Sequence, residues 1–143
     1  MRMWHYELIN VLPDKQLIAQ WRELCCIARN IAKNGTPNHL LVNKVLNYPS
    51  KDFKKYAKYV CNAIRGRGFK LSDDSIGKFL DNMIEAEEYF DNSIFCDTLY
   101  LGWHSYRYLI QCFYNLQEKY DCGGITDDEW NLITAKMAYL MNK

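Results

Sequence analysis

DKQLIAQWRELCCIARNIAK, residues 14–33, carries the clearest periodic signal in the chain. Leu17, Trp21, Leu24, Ala28, Ile31 and Ala32 recur at intervals of three and four, Pro13 stands just before the stretch, and Gly35 follows it. This is the pattern of a long amphipathic helix. Its other side is also organised. Arg22, Cys26, Arg29 and Lys33 follow i, i+4, i+7, i+11 and so share one stripe with a basic character. Glu23 lies about 100° around the helix from Arg22, so both side chains can reach a cleft beside the helix without simply neutralising each other.

Working outward, Thr36-Pro37 supplies an N-cap and a first-turn proline for a short helix running through Leu40, Leu41 and Val45. Asn47-Tyr48-Pro49 ends it, and Ser50 is positioned to cap a third helix. That helix turns Phe53, Tyr56, Ala57, Val60, Cys61 and Ile64 inward, and Lys51, Lys54, Lys55 and Lys58 outward. Residues 72–98 are acidic and support one or two short helices. An aromatic-rich helix is expected over 103–120, broken at Cys122-Gly123-Gly124. Thr126 and Glu129 form a capping box that opens the last helix. Nothing reads as a strand. The expected fold is all-α, a single-domain irregular helical bundle spanning 1–143.

Composition narrows the classes. The chain has 143 residues, enough to bury roughly two thirds of its unfolded surface, and its 18 basic against 17 acidic residues give a net charge of +1. A nucleic-acid interface must therefore come from the distribution of charge rather than its sum. No apolar run approaches the roughly 20 residues of a membrane span, and the start MRMWHYELIN lacks an export-signal pattern. A cytoplasmic protein with no membrane partner is expected, and a monomer. The six cysteines contain no C-x-x-C pair, so they read as reduced thiols rather than disulfides or a zinc site. No metal and no cofactor are expected.

The segment LIAQWREL, residues 17–24, resembles the pyrimidine-dimer DNA glycosylase family, the phage endonuclease V-like proteins. There a leucine, an alanine, an aromatic and Arg-Glu-Leu follow the N-terminus at the same distances. Arg67-Gly68-Phe69 matches the family's R-G-F, and weaker similarity runs through His104 to Leu116, Glu118 and Lys119. The resemblance implies a helical fold with the N-terminus inserted near the first long helix. It also implies a glycosylase and abasic-site lyase acting on damaged double-stranded DNA. In such enzymes a free N-terminal α-amine attacks C1′ of the damaged nucleotide and forms an imine. An α-amine titrates near pH 8, against about 10.4 for lysine, so a useful fraction is unprotonated at neutral pH. By residue, the resemblance makes Arg2, the second residue, the carrier of the amine, Glu23 the carboxylate that steadies charge and assists proton removal, and Arg22 a phosphate clamp. Arg29, Lys33 and Lys119 join the DNA-binding set, with Met1, His5 and His104 as further cleft residues.

The sequence also departs from that pattern. The family's reactive residue is small and follows a removed methionine, whereas Arg2 is bulky and is expected to hinder removal of Met1. Met3 and Cys26 stand where the family has arginines, Asn115 replaces another, and the aromatic and lysine tail has no counterpart in AYLMNK. Two alternatives follow. One is a non-catalytic member of the fold that binds nucleic acid or a partner. The other is a metal-dependent hydrolase in which His5, Glu23 and His104 meet in one cleft.

Overall fold

The structure, a computed structural model, describes residues 1–143. It holds five α-helices, α1 Asp14–Asn34, α2 Ser50–Gly66, α3 Asp73–Ala86, α4 Tyr106–Asp121 and α5 Asp127–Met141. Three short 3-10 helices accompany them at Tyr6–Val11, Asn43–Asn47 and Glu87–Tyr89, and there is no strand. None of the helices is long and apolar enough to cross a membrane, and all six cysteines are unpaired.

Helix α1 forms where its periodicity places it, and it stops at Gly35, whose φ of 75° lets its N–H turn back to the Ile31 carbonyl at 2.8 Å. A side chain at Gly35 would also strike the ring of Tyr89, 2.9 Å from the position of a Cβ. Helix α1 packs against α2 and α3. The inward set foreseen for α2 is buried in full. The acidic run gives one helix of 14 residues, α3, capped by Ser72, whose side chain accepts the Ser75 N–H. Trp21 fastens α3 to α1 through a 3.0 Å bond from Nε1 to the Ser75 hydroxyl. Thr126 and Glu129 form the reciprocal capping box that opens α5.

Three local expectations need correcting. The helix expected from Thr36 to Val45 does not form. Thr36 Oγ1 accepts the Asn38 N–H at 3.0 Å, Asn38 adopts a φ of 55°, and only Asn43–Asn47 is helical, as a 3-10 turn. A left-handed residue directly after the proline ends any right-handed propagation. Ser50 does not cap α2 but is its first residue, and its N–H donates to Asn92 Oδ1 at 2.9 Å. Finally, α4 begins at Tyr106 behind a Ser105 cap. Trp103 and His104 belong to the preceding turn, which needs positive φ at Tyr100 and Gly102.

What positions the site is the N-terminal segment. Met3, Trp4, His5, Leu8, Ile9 and Leu12 are all buried, and Tyr6–Val11 packs on both α2 and α5. All of these but His5 belong to one cluster of 32 buried apolar side chains that also includes the inner faces of α1, α2 and α4. The N-terminus is thus inserted beside α1, and its first two residues emerge next to Glu23.

Candidate functional site

Between the N-terminus, α1 and α4 lies an open cleft of about 670 Å³ lined by Met1, Arg2, Lys15, Arg22, Glu23 and Lys119, among others. Position along α1 explains the assembly. Lys15, Arg22 and Glu23 fall on the side of the helix that faces the emerging N-terminus, and Asn115 and Lys119 reach in from α4, one turn apart. Glu23 is the one carboxylate among the lining residues. None of Arg2, Lys15, Arg22 and Lys119 is within ion-pair distance of a carboxylate, since the chain's ion pairs all involve Arg65, Arg67, Lys78 or Lys136. The net charge of +1 therefore conceals a local concentration of uncompensated positive charge.

Glu23 is half-buried and held by two donors. The backbone N–H of Arg2 donates to its Oε2 at 3.3 Å, and Gln20 Nε2 donates to the same oxygen at 3.4 Å. The amine of Met1 makes no ion pair with this carboxylate. The nitrogen beside Glu23 is thus that of Arg2. While Met1 is attached, that nitrogen is an amide. The guanidinium of Arg2 stacks over the Trp4 ring, 5.6 Å from its centroid.

Gln20 is the residue that sequence reasoning missed. It is fully buried, and its side chain spans the gap to the N-terminal segment. Oε1 accepts the Trp4 N–H at 2.8 Å, and Nε2 donates to the Arg2 carbonyl at 2.9 Å. The Tyr56 hydroxyl donates to the Trp4 carbonyl at 2.6 Å and lies 2.9 Å from Gln20 Oε1, while the Tyr108 hydroxyl donates to the Met3 carbonyl. The backbone of residues 2–4 is thereby tied down at Arg2, Met3 and Trp4. A signal existed in the sequence, because Gln20 occupies an inward position, three residues after Leu17 and four before Leu24.

The structure separates the remaining candidates. Arg29 and Lys33 lie further along the α1 stripe, outside the lining of the cleft, both exposed, and Arg29 makes a long 3.6 Å contact with Cys26 Sγ. Met3, at a position where the resembling family carries arginine, is fully buried, so this position faces the core rather than a ligand.

His5 and His104 do meet, with ring centroids 5.1 Å apart, but in the core rather than in the cleft. His104 Nδ1 accepts the Tyr6 N–H at 3.1 Å, and His5 Nδ1 accepts the Glu7 N–H at 3.1 Å. His5 Nε2 donates to the His104 carbonyl at 2.9 Å. A neutral imidazole has one lone pair to offer, and in both rings it is spent on a backbone N–H. Burial lowers the pKa of both, and pushes His104 down to about 2 with the help of neighbouring His5. The metal reading of His5, Glu23 and His104 is therefore overturned: these side chains form no group able to hold a metal ion, and neither imidazole has a lone pair free.

Arg67, seen in the sequence as part of R-G-F, is a clamp on the N-terminal segment. Its guanidinium donates to the carbonyls of Leu12 at 2.7 Å and Asn10 at 3.0 Å, and pairs with Asp14 at 2.9 Å.

The family model for pyrimidine dimer DNA glycosylases matches residues 1–76, which carry the N-terminal segment, α1 and α2 with its closing Arg67. No curated protein and no solved structure matches the chain.

Proposed function

This chain belongs to the pyrimidine dimer DNA glycosylase family, and from that premise we propose that it excises damaged pyrimidines from double-stranded DNA and then cleaves the strand at the resulting site. The nucleophile is the α-amine of Arg2, freed by loss of Met1. Unprotonated, it attacks C1′ of the damaged nucleotide as the glycosidic bond breaks, and the base departs with the bonding electron pair and takes up a proton. Ring opening at C1′ gives an imine to the Arg2 nitrogen. Removal of the C2′ proton then expels the 3′ phosphate by β-elimination, and water releases the amine.

Glu23 serves this sequence twice: its charge steadies the cation developing at C1′, and its free oxygen accepts the C2′ proton. Arg22 and Lys119 hold phosphates on two walls of the cleft, with Lys15 beside them, and Arg29 and Lys33 continue the track along α1. No metal or cofactor is needed, and the reaction belongs to the cytoplasm.

The observation that carries this reading is the 3.3 Å approach of the Arg2 nitrogen to Glu23 Oε2 in a cleft whose other charged residues are basic. The test is borohydride trapping on duplex DNA with a thymine dimer or an abasic site, using chains that begin at Met1 and at Arg2. A covalent adduct at Arg2, in the chain that begins there, is expected. Absence of any adduct with either chain, together with an intact DNA backbone, overturns the proposal.

The same observation supports a second reading. With Met1 retained, the nitrogen at Glu23 is an amide and cannot form an imine, leaving a protein that binds damaged DNA without cutting it. Mass spectrometry of the N-terminus and a binding measurement on dimer-containing duplex separate the two.

A further inference from the structure

The turn that replaces the expected second helix carries two of the chain's most conspicuous apolar side chains. Leu40 is 89% exposed and Leu41 51% exposed. Leu41 lines both the cleft and a second groove of about 360 Å³, and Leu40 lines the second groove beside it. Lys44, Arg107 and Gln111 also line that second groove. Along α4, Arg107, Gln111, Asn115 and Lys119 repeat at intervals of four and so form one stripe. Its first two residues serve the second groove and its last two the cleft. From Arg107 to Lys119 is roughly 18 Å of helix, the rise of about five base steps at 3.4 Å each. Leu41 divides this continuous track into two basic halves.

The turn is braced rather than loose. Pro37 and Val42 anchor it in the interior. His39 N–H donates to Asn43 Oδ1 at 3.0 Å, and the N–H groups of Val42 and Asn43 return to the His39 carbonyl at 3.0 and 2.9 Å. Two leucines are thus held out into solvent, on a fixed support, between two sets of cations. The charges lining both grooves, Glu23 excepted, are positive. A polyanion with an apolar interior fits that pattern, and duplex DNA is one, with phosphates outside and stacked bases within.

Resting on the DNA reading of the cleft, we propose that Leu40 and Leu41 enter the base stack beside the target nucleotide, as a wedge that fills the space opened when the nucleotide turns toward Glu23. Lys44 and Arg107 take the phosphates on the far side of the wedge, and Arg22 and Lys119 those on the near side. An apolar side chain between base steps replaces lost stacking contacts and bends the duplex.

The test uses a duplex bearing a tetrahydrofuran abasic analogue, which cannot form an imine, with 2-aminopurine next to it. Wild-type protein is expected to raise the 2-aminopurine fluorescence several-fold on binding. L40A/L41A should lose that rise while keeping its affinity within about tenfold and its thermal midpoint unchanged, and L40F should retain the rise. A rise that persists in L40A/L41A, or no rise with the wild type, overturns the wedge. So does a concentration-dependent dimer that L40D/L41D abolishes, which would assign the turn to a second copy of the chain. Because the analogue bypasses covalent chemistry, this outcome is independent of the borohydride result.

Discussion

Gln20 Oε1 accepts the Trp4 N–H at 2.8 Å inside the core, while the other end of the same side chain reaches both the Arg2 carbonyl and Glu23. One amide thus sets the position of the N-terminal backbone and of the carboxylate beside it. Gln20→Leu keeps most of the volume and removes both functions. It is expected to cost about 1–3 kcal/mol of stability, because the Trp4 N–H and Arg2 carbonyl lose their partner, and to lower borohydride adduct yield more than the fraction unfolded explains. Urea unfolding and trapping on the same preparation check both parts; an adduct yield that tracks stability alone assigns Gln20 a purely structural part.

Glu23→Gln in the chain beginning at Arg2 should fold normally, since the residue is only half-buried. Strand cleavage should fall by about 10²–10⁴, the usual contribution of a positioned acid or base. Single-turnover cleavage of abasic DNA is the measurement, and retention of wild-type rate would remove Glu23 from the mechanism.

Arg22→Ala and Lys119→Ala should each reduce the slope of log binding constant against log salt concentration by about 0.9, one phosphate apiece. Anisotropy titrations at several salt concentrations give that slope. Arg67→Ala, by contrast, should leave the slope untouched.

Arg67 matters to stability instead. Its carbonyl contacts are charge-assisted, and its side chain is 23% exposed. Arg67→Met is expected to destabilise the protein by roughly 2–4 kcal/mol, whereas Asp14→Ala, which removes only the exposed ion pair, should cost under about 1 kcal/mol. Equal losses in the two variants would show that the ion pair, not the carbonyl clamp, carries the effect.

Acid should weaken the fold through His104. Burial lowers its pKa to about 2, so between that value and the ordinary 6.5 the unfolded chain binds a proton that the folded chain refuses. The stability is complete above pH 6.5 and is lost as pH falls below it. At pH 5 the loss from His104 is about 2 kcal/mol, and His5, also lowered, adds to it. Urea unfolding at pH 8 and pH 5 should show the decline, and His104→Asn should flatten it.

These predictions divide along what the sequence made legible. Helix α1, the inward face of α2 and the Thr126–Glu129 cap were readable because each depends on neighbours within a few residues. Arg22, Glu23 and Lys119 were placed together by resemblance, and the cleft contains all three. The turn at Leu40–Leu41 escaped notice because the left-handed Asn38 wins over a proline signal that favours helix. The histidines misled because their ring nitrogens are claimed by backbone groups about a hundred residues away in the case of Tyr6 and His104. Arg67 was visible only as a motif, since its acceptors lie more than fifty residues upstream.

The buried N-terminal segment has a consequence in time. Its partners include Tyr108, His104 and α5, among the last parts of the chain to be synthesised. At roughly 5–20 residues per second, a delay on the order of 10 s separates the appearance of His5 from that of His104. Throughout that delay Met3, Trp4 and His5, all buried in the finished fold, have no pocket to enter. Once α4 and α5 arrive, the same segment is drawn under Tyr108 and tied to Gln20. The segment that stands first in the chain is thus among the last to be enclosed, because the groups that bury Met3, Trp4 and His5 lie about a hundred residues further on.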